Sequence, residues 1–343
     1  MGKQPEFLSP HTSPHDVGGV QDIAYDYYEN RLVTVSINRE ICIWKKKEKW
    51  YRMYRWKAHE GPVFTVSWSH PCFKSILATG SYDKRVIIWE EPEPLSYGNN
   101  NPSSLEPTNT SWNALAHLVD ARDEVRQVEF APPHLGLLLA SGSADGYVRI
   151  YNCMDVADLH QWPLLAELDM DSPVNALSWN PSVDSIPSLV VASNKDCRVW
   201  WMDKDTRRWT DYCLQQLESE TLTFSAVAWA PHVGRSFERI AVGCADGTIQ
   251  LFQFPRHHAQ ENMLSVPNIQ PICTLSHGTE QQRIVRLQWN FVGSILASSA
   301  NDGKVCLWKP LPQDWTRWSC FDVIPLEQVA QGEEEDPFVH SME

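Results

Sequence analysis

The sequence predicts an all-β protein assembled from six copies of a four-stranded unit. Three observations predict it. A nine-residue segment recurs along the chain: a small residue, a turn centred on Asp or Asn, then an apolar strand closed by an aromatic. A second, alternating strand, also ending in an aromatic, precedes each copy. The 343 residues also hold 16 tryptophans, and these fall in step with the two strands.

The clearest copies of the first segment are residues 81–89, 143–151, 244–252 and 300–308. Their turns carry Asp83, Asp145, Asp246 and Asp302, and their strands close on Trp89, Tyr151, Phe252 and Trp308. A weaker copy runs from Ser36 to Trp44 with Asn38 at the turn. The weakest runs from Ala192 to Trp200, with Asn194 at the turn and Lys195 where Gly is favoured. Asp, Asn and Gly suit these places because they tolerate the positive φ of tight hairpin turns.

The preceding strands are Val20 to Tyr25, Val63 to Trp68, Val125 to Phe130, Val174 to Trp179, Ala226 to Trp229 and Val285 to Trp289. Strict alternation turns one side-chain row inward and the other outward. A further strand near Trp50, Trp112, Trp162, Trp209 or Trp315 brings each unit to four. The turn positions are spaced by 45, 62, 49, 52 and 56 residues. Four strands at a period of about 40–45 residues are the mark of a propeller blade, here stretched by loop insertions.

The repeats resemble WD-repeat blades, and longer stretches narrow the match. The run from Val119 through Pro132, on through Ser143 to Tyr151 and to Trp162, is similar to nucleoporins of the Seh-one family, relatives of the Sec-thirteen coat protein. So are Gly234-Arg235-Ser236-Phe237 and the segment from Trp289 to Lys309. The resemblance covers residues 18–325. It implies a six-bladed WD-repeat β-propeller that stays open and is completed by a blade from a partner. It implies a non-enzymatic scaffold subunit of the Y-shaped outer-ring complex at the nuclear envelope. The donor there is an α-solenoid nucleoporin of the Nup-eighty-five type. It also implies a place in the GATOR (SEA) assembly, which controls the TOR kinase at the lysosome or vacuole surface. Within the family a network often joins the turn Asp to a Trp, a Ser or Thr, and a His. Asp83, Trp89, Ser81 or Thr79, and His59 supply such a set. Leaving a buried partner of Asp145 unpaired is expected to cost on the order of 1–3 kcal/mol.

Closure of the ring is where the sequence runs short. Pro5, Pro10 and Pro14 interrupt the N-terminal flank, and Pro removes ladder donors. Beyond Trp308 one strand, Trp315 to Ile324, completes the last unit, and nothing in the sequence latches it to the first. Exposed edges call for a cover, and edge pairing with a donated strand supplies one. The expected contacts are Asp22, Ile23 and Tyr25 in the first unit and Arg286 and Gln288 in the last. Residues 1–17 are expected to be a flexible segment, 18–325 the propeller, and 326–343 an acidic tail around Gly332 to Asp336. The Pro-, Asn- and Ser-rich residues 90–110 are expected to form a surface loop.

Composition removes other classes. With 29 Lys and Arg against 43 Asp and Glu, the net charge is −14, which argues against nucleic acid as a partner of the whole surface. The basic stretch Lys45 to Lys57, interleaved with Trp50, Tyr51, Tyr54 and Trp56, has two readings, a nucleic-acid or chromatin contact and an outer strand with its cations in water and its aromatics packed inward; alternation and position just after Trp44 favour the second. No apolar run is long enough to span a bilayer. The first sixteen residues lack the apolar core of a secretory signal, so the cytosol or nucleus is expected. The nine cysteines include no C-x-x-C pair and read as reduced core thiols. The phosphate-loop, zinc-protease and serine-elbow motifs are absent, and the twelve histidines have no metal spacing. No catalytic residue, metal, cofactor or small-molecule substrate is therefore expected. Two rival readings remain at this stage: a COPII vesicle-coat subunit, and a substrate adaptor that reads a peptide on the propeller top.

Overall fold

The computed structural model describes residues 19–47, 50–92, 111–183, 186–203, 206–217, 222–255, 269–278 and 282–325. The expected N-terminal segment, most of the 90–110 loop and the acidic tail lie outside the described residues. The described residues form 24 strands in six four-stranded sheets, and within each sheet the strands pair in chain order. This is the strand pattern of a six-bladed WD-repeat propeller.

Sheet one holds Val20–Tyr25 (β1), Arg31–Ser36 (β2), Glu40–Lys46 (β3) and Trp50–Lys57 (β4). Sheet two holds Val63–Trp68 (β5), Ile76–Ser81 (β6), Val86–Glu90 (β7) and Asn113–Leu118 (β8). Sheet three holds Val125–Phe130 (β9), Leu138–Ser143 (β10), Tyr147–Asn152 (β11) and Leu164–Asp169 (β12). Sheet four holds Val174–Trp179 (β13), Ser188–Ser193 (β14), Asp196–Met202 (β15) and Trp209–Gln216 (β16). Sheet five holds Phe224–Trp229 (β17), Phe237–Cys244 (β18), Thr248–Pro255 (β19) and Gln270–Ser276 (β20). Sheet six holds Ile284–Trp289 (β21), Leu296–Ala300 (β22), Lys304–Leu311 (β23) and Asp314–Pro325 (β24). The chain forms two compact units, Met1–Trp179 and Asn180–Glu343.

The hairpins form where the turn residues allow them. After Asp145, Asp246 and Asp302 comes a glycine with φ of +86°, +84° and +72°; Arg39 and Lys84 take the same left-handed place at +69° and +67°.

In the first unit β1, β5, β9 and β13 lie side by side in that order. In the second, β17 lies against β14 and β21. A repeated staple ties these first strands together and explains their terminal tryptophans. Trp68 Nε1 donates to Ala24 O, Trp179 Nε1 to Glu129 O and Trp289 Nε1 to Ala228 O, each at 3.1 Å. The third residue of each strand makes a second tie. Asp22 Oδ2 accepts from Val66 N at 3.0 Å, Thr65 Oγ1 from Val128 N at 3.2 Å, and Gln127 Oε1 from Leu177 N at 3.1 Å. Sheets one, two and three thus each satisfy a backbone amide of the sheet that follows, a group that would be costly to bury unpaired.

Between sheets the packing is dry. Val33, Val35, Ile41, Ile43 and Trp56 of sheet one meet Val63, Val66, Leu77, Ile87 and Trp89 of sheet two. In the second unit, Ile249 and Leu251 meet Leu287, Leu296 and Trp308. Gly142 marks how close the sheets come: a Cβ there would sit 2.6 Å from Val174 Cγ1. Gly80 and Gly243 hold the same place against Val125 and Ile284. Gly142→Ala is expected to cost about 1–3 kcal/mol through overpacking. Urea denaturation checks this: the midpoint falls while the slope is unchanged.

Five cysteines (Cys42, Cys153, Cys197, Cys244 and Cys306) are buried as expected, whereas Cys72, Cys213 and Cys320 are exposed, and all nine are free thiols.

Candidate functional site: turn networks and uncovered sheet faces

The repeat residues singled out from sequence all fall at the hairpin between the second and third strands of a sheet, or within the third strand. In sheet two they form one network. His59 Nδ1 lies 3.0 Å from Asp83 Oδ2, His59 Nε2 lies 2.8 Å from Thr79 Oγ1, and Trp89 Nε1 donates to Thr79 Oγ1 at 2.9 Å. Thr79 rather than Ser81 is the middle member; Ser81 Oγ donates to Pro62 O at 2.7 Å. Sheet six repeats the arrangement. Trp308 Nε1 donates to Ser298 Oγ, which lies 2.8 Å from His277 Nδ1, and His277 Nε2 lies 3.5 Å from Asp302 Oδ1.

Elsewhere the network is abbreviated. Trp44 Nε1 donates to Thr34 Oγ1 at 3.0 Å, and Asn38 stands exposed at its turn. Asp246 Oδ1 accepts from Thr248 N at 2.9 Å and Thr248 Oγ1 at 2.6 Å, with Phe252 buried. Tyr151 Oη donates to Asp120 Oδ2 at 3.0 Å. In sheet four Asn194 sits half-buried in the turn and Trp200 is buried, but the carboxylate comes from Asp196. Asp196 bonds Ser193 Oγ and accepts from Arg198 Nε at 2.8 Å.

Sheet three departs most. Its turn has no histidine, and the fully buried Arg149 fills the place. Arg149 donates through Nη1 to Ser143 Oγ at 3.1 Å and lies through Nη2 2.9 Å from Asp145 Oδ2. Its Nε donates to Glu167 Oε1 at 2.9 Å. Neither Arg149 nor Arg198 was singled out from sequence. The signal was an arginine two places before the closing aromatic of an apolar strand, where other copies carry Cys42, Ile87 or Cys306.

Two of the turn carboxyls, Asp83 and Asp145, are held in their charged form by their partners. Burial alone pushes the Asp83 carboxyl up, but the His59 ring and the backbone N–H groups of Glu60 and Arg85 hold it below the ordinary carboxylate value. Burial likewise opposes ionisation of Asp145, and Arg149, Ser143 and the N–H groups of Arg122 and Tyr147 outweigh it. A carboxyl lowered on folding contributes stability above its unfolded pKa, near 4, and loses it as pH falls through the folded value. Scanning calorimetry is expected to show a melting temperature that holds from about pH 7 to about pH 5 and declines below about pH 4. Asp145→Asn should make that decline shallower.

The second feature is a pair of sheet faces, on sheets six and one, that are partly exposed among the described residues. Strands β6, β10 and β14 are buried along their whole length, on both faces. In β22 the burial alternates: Leu296, Ser298 and Ala300 are buried against sheet five, whereas Ala297 and Ser299 are half-exposed. Register carries that second face across the sheet. Gln288 and Arg286 lie on it in β21, Leu307 and Val305 in β23, and Ile324 in β24. Arg286 holds the place from which Asp22, Thr65 and Gln127 reach the following sheet. The bulge residue beside it, Val285, is 55% exposed.

Sheet one shows the complementary case. Its far face carries Val20, Ile23 and Tyr25 on β1, which are 46%, 45% and 52% exposed. Leu32, Cys42 and Trp44 form a small cluster in its middle. Asp22 points the other way, into the packing with sheet two. Of the five expected contacts, Ile23, Tyr25, Arg286 and Gln288 are exposed, and Asp22 is buried in the sheet-to-sheet tie. Among the described residues no group of three or more His, Cys, Asp or Glu is placed to hold a metal, and no helix is long and apolar enough to cross a membrane.

Residues 50–90, 115–152 and 269–309 match the family model for the WD domain, G-beta repeat. Each match starts in or beside the outer strand of one sheet (β4, β8 or β20) and ends with the third strand of the next. Over 330 residues the chain is 32% identical to Nucleoporin SEH1 of Xenopus tropicalis, covering 91% of this chain and 88% of that protein. The chain belongs to the SEH1 family of nucleoporins. It is similarly 31% identical to Nucleoporin SEH1 of Homo sapiens, covering 89% of this chain and 85% of that one. With Nucleoporin SEH1 of Danio rerio the identity is 30%, over 89% and 84%. The SEH1 nucleoporins and WD-repeat proteins at large are typically non-catalytic structural proteins.

Proposed function

We propose that the chain is a non-enzymatic scaffold subunit of the nuclear pore complex, held in the outer-ring Y complex by an α-solenoid nucleoporin that donates a blade. Family membership supports the nucleoporin role and the need for protein partners. The observation that carries the docking mode is the alternating burial of β22, set against the complete burial of β6, β10 and β14. A sheet face built from Ala297, Val305, Leu307 and Ile324 is apolar enough to reward coverage. The open ring is part of this proposal, and transport through the pore then follows from architecture rather than from chemistry on this chain. The same docking serves a second placement in the GATOR assembly at the lysosome or vacuole surface.

Leu307→Glu combined with Ile324→Glu tests the reading. Both positions are partly exposed in the free chain, so melting should change little. Co-purification with the α-solenoid nucleoporin, assayed by affinity capture from its own cells, is expected to be lost. A variant that folds and still recovers that partner in equal amount removes the donated-blade account.

A further inference from the structure

The far face of sheet one, buried in its middle but exposed along β1 and at the basic residues of its outer strands, is two-sided in chemistry. Its inner strand shows Val20, Ile23 and Tyr25. Its outer strands show Lys46 on β3 and Arg52, Arg55 and Lys57 on β4, which register places on the same face. Arg52 lies over the Trp44 ring, with Cζ 5.9 Å from its centroid, and Lys46 Nζ lies 5.9 Å from the Trp50 centroid. One carboxylate, Glu40, shares the face, and it is paired with Arg55 at 2.9 Å. Four cations against one acid thus stand on a chain whose net charge is −14.

We infer that the polypeptide that packs on this face is itself two-sided: apolar on its inner strands, and carrying Asp or Glu at alternate positions of its outer strand. This rests on the donated-blade reading above and specifies the chemistry of the donor. Alternate residues of a strand stand about 7 Å apart, the repeat at which Arg55 and Lys57 present their charges. The charge pairing fixes which face of the incoming sheet meets sheet one. A nucleic acid would use the cations but not the apolar inner strand, and the net charge of −14 on the whole chain opposes it. Guarding a free edge does not account for the cluster. Strands β8, β12, β16 and β20 are also outer strands and contain no Lys or Arg, and β24 has only Arg317.

The test uses the purified complex of the full chain with the α-solenoid nucleoporin that captures it. A carbodiimide, which joins amines to carboxylates without a spacer, is expected to link Lys46 and Lys57 to Asp or Glu of the partner, read by mass spectrometry. Lys46→Glu with Lys57→Glu is expected to lower the association rate about tenfold at low salt and to flatten its salt dependence. If a lysine-to-lysine reagent joins these residues to the partner but the carbodiimide does not, the face is occupied without carboxylates. The acidic-donor inference then falls while the docking reading stands. Carbodiimide links from Lys57 to the chain's own Glu333 to Glu335 would overturn it in favour of the tail. A complex in which neither reagent reaches the partner from Lys46 or Lys57 would remove both.

Discussion

Asp145→Ala is expected to destabilise the protein by about 3–5 kcal/mol, more than the loss of a turn hydrogen bond. The reason is Arg149. Its side chain is 1% exposed and its guanidinium is held by Asp145, Ser143 and Glu167. Removing Asp145 leaves a buried cation with Glu167 as its remaining carboxylate, and that acid is 41% exposed. The range of about 1–3 kcal/mol expected from the sequence counted only an unpaired polar group. Asp145→Ala combined with Arg149→Leu should recover a large part of the loss, because it removes both charges from a buried site. Chemical denaturation of the wild type, both single variants and the double variant gives the coupling. Additive losses would show that the ion pair does not hold the hairpin.

The second large effect is expected at Trp112, which is 2% exposed. Its ring stacks on Trp56 at 6.2 Å between centroids, with the planes 6° apart, and meets Trp68 edge-on at 5.6 Å. Trp56 in turn meets Trp89 at 5.5 Å. These four rings fill the outer part of the packing between sheets one and two. Trp112→Ala empties that space and should cost about 3–5 kcal/mol. The Trp112 indole N–H is buried without an acceptor among the described residues. Trp112→Phe, which keeps a ring and discards the unpaired donor, should therefore lose much less. Equal losses for the two variants would mean that ring packing is not what Trp112 supplies.

The regular part of this architecture was legible because it is periodic. Strands β1, β5, β9, β13, β17 and β21 each end in an aromatic, and all four that end in tryptophan place the indole N–H on an acceptor: Trp68, Trp179 and Trp289 on a carbonyl of the preceding first strand, and Trp229 on Glu238 of its own sheet. The turn residues were legible for the same reason. Two things were hidden. One was the substitution of partners: Arg149 takes a histidine's place in sheet three, and Asp196 supplies the acid that Asn194 cannot. Both depend on which side chains meet across strands. The other was the face on which each edge residue lies. Bulges at Gln21 and Met53 each shift the alternation by one residue. Counting by twos along β1 or β4 therefore puts Asp22 beside the wrong neighbours and scatters Arg52, Arg55 and Lys57, which in fact share one face.

The WD match is out of step with the sheets by one strand. Excising residues 115–152, a clean cut in sequence terms, would strip most of β8 from sheet two and take β9, β10 and β11 from sheet three. It would leave β12 an orphan. A lineage that gained or lost blades by copying such a segment would keep every junction mended only if the copy re-entered in the same phase. The seams between matched repeats and those between folded sheets do not coincide, so that each matched segment is stitched across two neighbours.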